Sequence, residues 1–73
     1  MNANKKIGKL IKELRLSRNI TLEKLAFESD FSKGGLSEIE RGLRQIRFSS
    51  LEKICSTLNI KLSEFFKLYE DLK

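Results

Sequence analysis

Four polar or small residues share the outer face of a short helix that the sequence predicts after residue 32. Leu36 and Ile39, three positions apart, define the inner face. The outer face then carries Lys33, Gly34, Ser37 and Glu38. Ser32 is a good N-cap, and Gly42 is a good residue to end the helix. A short capped helix with a polar outer edge is typical of a helix that reads DNA.

The same inventory of side chains argues against catalysis. The 73 residues include no histidine and one cysteine, Cys55, and show no nucleophile beside a base and no acidic cluster with metal spacing. Cys55 lies in an apolar helical pattern between Ile54 and Leu58, which favours core packing over a redox-active thiol. We predict that the protein is not an enzyme and has no catalytic residues, metal or cofactor.

Length and charge indicate a single small domain over residues 1–73. The chain has 15 basic and 10 acidic residues, a net charge of +5. That balance suits a polyanionic partner, although soluble proteins without such a partner can share it. No apolar run approaches the roughly 18 residues of a membrane span, and the charged start lacks the apolar region of a signal peptide. We therefore expect a cytoplasmic protein that does not bind membranes.

The elements that must position the polar helix are all helical. Apolar residues recur at helical spacing over 4–18 and 22–29, before the polar helix that follows Ser32. A fourth helix is predicted from Ser49 or Ser50, and a last one from about Leu62. Left-handed residues are expected between helices at Asn19 and Asn59, and Thr21 is expected to cap the second helix. Residues 1–4 are expected to fray, and the fold class is all-α.

Three motifs in this order carry a resemblance to a known family. They are Thr-x-x-x-Leu-Ala from residue 21, Leu-Ser-Glu-Ile-Glu-Arg-Gly from residue 36 and Leu-x-x-Ile-x-x-x-Leu-x-Ile from residue 51. Over roughly residues 7–66 the chain resembles the phage repressor and Cro type of helix-turn-helix, the XRE family, and it is similar in size to restriction-modification controller proteins. The resemblance implies a compact five-helix, lambda-repressor-like DNA-binding domain whose second and third helices form the helix-turn-helix.

The resemblance also implies a role for each residue of the polar helix. In this family the third helix lies in the major groove, so the base-reading candidates are Lys33, Gly34, Ser37 and Glu38. Lys33 can donate to guanine O6 and N7, or to a phosphate. Glu38 can accept from cytosine N4, or it is ordinary exposed surface paired with Arg41.

This sequence departs from the family pattern at several positions. Gly34 and Gly35 replace larger polar residues, so direct base reading should be sparse. Two interpretations stay open. In the functional one, the bare backbone permits close approach to DNA, or the first turn of the helix becomes ordered only on binding. In the other, the end of a helix simply tolerates glycine. Leu22 stands where a phosphate-binding glutamine is common. Asp30 stands where the turn usually has glycine, and it tolerates the left-handed conformation.

Contacts to the sugar-phosphate backbone are expected on both sides of the polar helix. The loop after it has three cations and no acid, which favours phosphate contacts over a merely solvated basic loop. Thr21 can combine helix capping with a phosphate contact. The full set of backbone candidates is Thr21, Lys24, Gly35, Arg41, Arg44, Gln45 and Arg47.

Two further interactions are expected to hold the protein and its partner copy together. Relatives often place opposite charges at the positions of Arg15 and Glu40, which implies a partly buried structural ion pair. The last helix, residues 62–73, has more apolar residues than one face can bury. Leu62 and Phe65 are assigned to the core, and the candidates for a dimer interface are Phe66, Tyr69 and Leu72; the alternative is that all of them pack inside the monomer.

Together these features predict a homodimeric, sequence-specific transcription regulator that binds double-stranded DNA. Its operator would be an inverted repeat with half-sites about 34 Å apart, and no small-molecule effector is expected. Activator and repressor are not distinguished by these residues. The alternative function is an antitoxin-like or adaptor module that binds another protein through the apolar last helix, with DNA binding secondary.

Overall fold

The computed structural model describes residues 2–72, and over that range the chain forms five helices and no strand. They are α1 (Ala3–Ser17), α2 (Leu22–Glu28), α3 (Lys33–Glu40), α4 (Phe48–Thr57) and α5 (Leu62–Asp71). The core consists of apolar residues from all five helices, together with Leu58: Leu10, Ile11, Leu25, Ala26, Leu36, Ile39, Leu51, Ile54, Cys55, Leu58 and Phe65. The predicted all-α, five-helix architecture is confirmed.

The helix ends agree with the capping signals except at two points. Asn2 Oδ1 accepts a hydrogen bond of 2.9 Å from the Lys5 amide, so α1 already begins at Ala3. The helix thus begins one residue earlier than the predicted residue 4, and the fraying of residues 1–4 stays a prediction; Met1 and Lys73 lie outside the described residues. The fourth helix begins at Phe48, slightly earlier than predicted, and no side chain caps it.

Left-handed residues make the turns between the helices. Asn19, Asp30 and Asn59 have φ angles of 55°, 60° and 56°, as their side chains predict, and Gly42 has φ 76° after α3. Asp30 also accepts a 2.7 Å hydrogen bond from Lys53 Nζ, which links the α2–α3 turn to α4. None of these positions is occupied by a β-branched residue, which would be strained there.

Close packing of α1 against α3 positions the polar helix. Gly8 is buried where a Cβ atom would overlap the Ile39 carbonyl oxygen and lie 2.7 Å from the Glu40 carbonyl oxygen. Further along α1, Arg15 Nε and Nη2 donate to the Glu40 carboxylate at 2.8 and 3.1 Å. The C-terminal half of α3 is thus held by α1 through both backbone and side-chain contacts.

Only part of the apolar surface of α5 enters the core. Phe65 is fully buried, and Leu62, Tyr69 and Leu72 are partly buried and pack against the core. Lys6 Nζ lies 4.2 Å from the centre of the Tyr69 ring, a cation–π contact within the monomer. Phe66 keeps 37% of its surface exposed. Of the three predicted dimer residues, Phe66 is the exposed one, while Tyr69 and Leu72 pack partly against the core of their own chain.

Burial makes Cys55 unreactive in the native state. The side chain is in the core, and burial raises the pKa of the thiol to about 11 because it disfavours the thiolate. At pH 8 we expect a native thiolate fraction about 100-fold below that of an ordinary cysteine, so a disulfide reagent should modify Cys55 slowly. Comparing the rate of labelling in buffer with that in concentrated urea tests this, and equal rates would contradict it.

None of the helices within residues 2–72 is long and apolar enough to cross a membrane.

Candidate nucleic-acid interface

The inner and outer faces of α3 are divided as its sequence predicts. Leu36 and Ile39 are buried. The Gly35 amide donates to Ser32 Oγ at 2.9 Å, which confirms Ser32 as the N-cap. On the opposite side, the candidate residues Lys33, Gly34 and Glu38 are exposed. Ser37, the fourth candidate, is partly buried. This surface is therefore open to a partner.

Lys33 has a carboxylate partner on α2. Its Nζ lies 3.1 Å from Glu23 Oε2, and both side chains are about two-thirds exposed at 63%. The pKa of Glu23 is lowered, first because its carboxylate accepts from its own backbone amide and then because Lys33 lies beside it. An exposed pair of this kind contributes little stability. Lys33 can therefore exchange Glu23 for another acceptor at small cost.

Glu38 contacts Arg44 instead of Arg41. Its Oε1 is 3.6 Å from Arg44 Nη1, and the two side chains are 49% and 54% exposed. The predicted alternative, in which Glu38 pairs with Arg41 one turn along the helix, is wrong because the loop after α3 brings Arg44 back over the helix. Arg44 is thus drawn to the surface of α3.

The two adjacent glycines of α3 are not equivalent. A Cβ atom at Gly34 would have nothing within 4 Å, whereas one at Gly35 would lie 2.9 Å from Arg44 Nη1 and 3.0 Å from Ser32 Oγ. Gly35 is buried, and its amide already donates to Ser32. Gly35 therefore has neither a side chain nor a free amide to offer a phosphate, in contrast to the predicted backbone contact.

The other candidate backbone contacts lie on the surface at both ends of α2–α3. The Lys24 amide donates to Thr21 Oγ1 at 3.1 Å, which confirms the helix cap, and both residues are exposed. In the loop, the side chains of Arg41, Gln45 and Arg47 are exposed. Within residues 2–72 neither arginine has a carboxylate oxygen closer than 4 Å. These two positive charges are free to meet an anion.

Several basic residues in α1 and directly after it, by contrast, contact other groups of the same domain. Arg15 is buried, and its hydrogen bonds to Glu40 raise its pKa above the ordinary value. Arg18 Nε donates to the Leu58 carbonyl at the end of α4. Lys6 covers Tyr69, and Lys9 pairs with Glu13. Part of the basic run over residues 5–18 is therefore engaged within the domain, while Lys5 and Lys12 are exposed.

Comparison with known proteins identifies the family of this chain. A family model described as Helix-turn-helix (HTH_3) matches residues 11–65, which is most of the chain. The chain belongs to this family. Its helix-turn-helix consists of α2, the turn at Asp30 and α3, as the resemblance to the XRE type predicted.

Relatives in this helix-turn-helix family include controllers and other regulators. Over 55 residues the chain is 40% identical to the control protein C.BamHI of Bacillus amyloliquefaciens, spanning 74% of this chain and 68% of that protein. Two other curated transcriptional regulators that it matches are longer, since the match spans 40% and 51% of their length. These two matches span 82% and 78% of this chain, so each covers more of this chain than of the regulator.

Solved structures of family members superpose closely on the five helices. The clp gene regulator ClgR of Corynebacterium glutamicum has a TM-score of 0.93 at 25% identity, covering 97% of this chain and 76% of that one. The restriction-modification controller C.Esp1396I, solved as a tetramer with its natural 35 base-pair operator, has a TM-score of 0.85 at 32% identity, covering 93% and 90%. The lambda-repressor-like fold class is thereby confirmed.

Proposed function

We propose that this protein is a homodimeric transcription regulator that binds an inverted-repeat operator in double-stranded DNA and inserts α3 into the major groove. The observation that carries the proposal is the exposed polar face of α3, flanked by Arg41 and Arg47, in a helix-turn-helix family fold. The operator complex of the similar controller C.Esp1396I supports it. Of its relatives' roles, DNA binding is the one that this surface fits.

In the proposed complex each part of the surface has a separate task. Lys33 donates to a guanine edge, and Ser37 to a base or a nearby phosphate. Gly34, with nothing around its missing side chain, lets the backbone of α3 approach the bases closely. The remaining candidates contact phosphates on either side and set affinity and register: Thr21, Lys24, Arg41, Gln45 and Arg47.

Dimerisation supplies the specificity that one short helix cannot. Two α3 helices related by a two-fold axis would read half-sites one helical turn, about 34 Å, apart. We assign the interface to α5, centred on the exposed ring of Phe66, with Tyr69 and Leu72 contributing the parts not buried in the monomer. An isologous contact of this kind fits an inverted repeat, since both have the same symmetry.

Selection from a random pool of DNA duplexes tests the proposal. We expect the purified protein to enrich a palindrome, because a symmetric dimer presents the same α3 to both half-sites. Failure of the folded protein to enrich any sequence would contradict the proposed function.

A second candidate function is favoured by the exposed apolar residues of α5. Phe66 and Leu68 keep 37% and 40% of their surface exposed, which is suited to a different protein as well as to a second copy. In an antitoxin-like adaptor α5 would bind that partner. Sedimentation of the free protein, together with the duplex selection, distinguishes the adaptor from the regulator. A monomer that enriches no DNA favours the adaptor, and a dimer that enriches a palindrome favours the regulator.

Replacing Arg41 and Arg47 by glutamine should weaken operator binding and flatten its dependence on salt. If each arginine neutralises one phosphate, the slope of log K against log salt falls by about 1.8, and affinity at 0.15 M salt falls about 30-fold. Titrations at several salt concentrations measure both. The control variant, Lys9→Gln with Lys12→Gln, removes the same charge from α1 and should leave the slope nearly unchanged; equal slopes in the two variants would contradict the assignment.

A further inference from the structure

Arg44 lies over the first turns of α3, although the sequence predicts a phosphate contact for it in the following loop. Its Nη1 is 2.9 Å from the point at which a Cβ atom of residue 35 would stand and 3.6 Å from Glu38 Oε1. Gly35 and Glu38 are three positions apart, so they are neighbours on one side of the helix. The guanidinium therefore rests over Gly35 with a carboxylate at its edge.

This position of Arg44 depends on glycine at residue 35. A Cβ atom there would lie 2.9 Å from Arg44 Nη1, closer than van der Waals contact, so the guanidinium would have to shift, whereas the neighbouring Gly34 has free space. The side chain of Arg44 is still 54% exposed, so it lies on the surface of the reading helix and not in the core. An exposed ion pair at 3.6 Å stabilises the fold little. The contact therefore orients Arg44 more than it stabilises the domain.

We propose that Arg44 reads a guanine in the major groove and that Gly35 and Glu38 position it. This inference rests on the proposed function, which puts α3 in the groove. An arginine presents forked donors that match guanine O6 and N7. The Glu38 carboxylate, 3.6 Å from the guanidinium, attracts it from one side, and it also repels phosphate oxygens. Arg44 is then directed to a base edge, not to the DNA backbone.

The neighbouring arginines differ in the way that this assignment requires. Arg41 and Arg47 are exposed, and among residues 2–72 no carboxylate oxygen lies within 4 Å of either. Such unoriented cations suit phosphates, which accept a positive charge from many directions. Both residues thus depart from the roles that the sequence predicts: Arg44 contacts a base instead of a phosphate, and Glu38 is a positioning residue instead of a base reader.

Substitution by lysine separates base reading from phosphate binding. Lysine keeps the charge but lacks the planar fork of arginine. We expect Arg44→Lys to lose roughly 5- to 150-fold in affinity for the selected operator, and to lose its preference for guanine at one position of each half-site. The matched variant Arg47→Lys should bind within a few-fold of the wild type. Operators substituted base by base give the preference.

A double-mutant cycle tests the positioning by Gly35. Gly35→Ala should weaken operator binding in the wild-type background and have no further effect once Arg44→Ala has removed the guanidinium. The added methyl would lie 2.9 Å from Arg44 Nη1 and 3.0 Å from the capping Ser32 Oγ. Both are side-chain ends and no backbone atom is met, so the variant should fold, and thermal melting checks that the cap is kept. The same cycle with Arg47→Ala should show no coupling.

The outcomes separate this inference from the proposed function. A wild-type protein that enriches no operator overturns both. An operator that the wild type binds, and that Arg44→Lys binds with unchanged affinity and base preference, overturns the role of Arg44 alone. A Gly35→Ala effect that persists in the Arg44→Ala background overturns the positioning by Gly35.

Discussion

Arg15→Ala is expected to lower the free energy of unfolding by about 3–5 kcal/mol. The side chains of Arg15 and Glu40 are only 10% and 5% exposed, and two hydrogen bonds of 2.8 and 3.1 Å join them. A third, from Arg15 Nη1 to the Ile20 carbonyl, is 3.0 Å long. Removing the guanidinium leaves a buried carboxylate and a carbonyl without these donors. A domain of 73 residues has roughly 4–11 kcal/mol in total, so this loss is a large share of the stability and the variant should unfold at a markedly lower temperature.

Urea or thermal unfolding measures the loss. Lys9→Ala is the matched control, since the Lys9–Glu13 pair spans 4.0 Å between half-exposed side chains, and its removal should cost less than about 0.5 kcal/mol. Replacing both partners, as Arg15→Met with Glu40→Leu, should be less damaging than Arg15→Ala because no buried charge is left alone. An Arg15→Ala variant that melts like the wild type would show that the pair does not support the fold.

The fold was predictable because its helix ends and buried faces depend on local sequence. Helices begin after the caps Thr21 and Ser32 and end near the left-handed Asn19 and Asn59. The spacing of apolar residues in each helix determines which face is buried. The Arg15–Glu40 pair was predictable only from the family resemblance, because nothing local connects residues 25 positions apart.

The site was predictable less completely, because its geometry depends on the loop after α3. The residues on the outer face of α3 follow from helical spacing alone. The return of Arg44 over Gly35 does not, since it depends on the path of the chain through Gly42 and Leu43. Helical spacing predicts only partners close along the helix, so it indicates Arg41 and not Arg44 as the partner of Glu38.

The role of Gly8 could not be inferred from its place in the sequence, where it lies in the middle of an amphipathic helix. A glycine there lowers helix stability by about 0.5–1 kcal/mol relative to alanine, which gives no sign of its use. In the structure it permits the backbone of α3 to approach α1, next to the Arg15–Glu40 pair. The C-terminal end of α3 is therefore held against α1 by two neighbouring contacts.

Gly8→Ala should accordingly destabilise the protein by about 2 kcal/mol or more, although alanine is the better helix former. The methyl would overlap the Ile39 carbonyl oxygen and lie 2.7 and 2.9 Å from the Glu40 carbonyl oxygen and carbon. These are backbone atoms of a packed helix, so they cannot move aside as a flexible side chain can. Relief requires α1 and α3 to separate, which also stretches the Arg15–Glu40 hydrogen bonds.

The same substitution at Gly34 supplies a control of opposite sign. Gly34 is also helical, but an added Cβ would have nothing within 4 Å, so Gly34→Ala should leave stability unchanged or raise it by up to about 1 kcal/mol. Unfolding both variants in urea under one set of conditions compares them directly. If Gly8→Ala were as stable as Gly34→Ala, the close approach of α1 to the α3 backbone would not be needed to hold α3 in place. A lowered midpoint for Gly8→Ala alone would locate that requirement at the Gly8 contact.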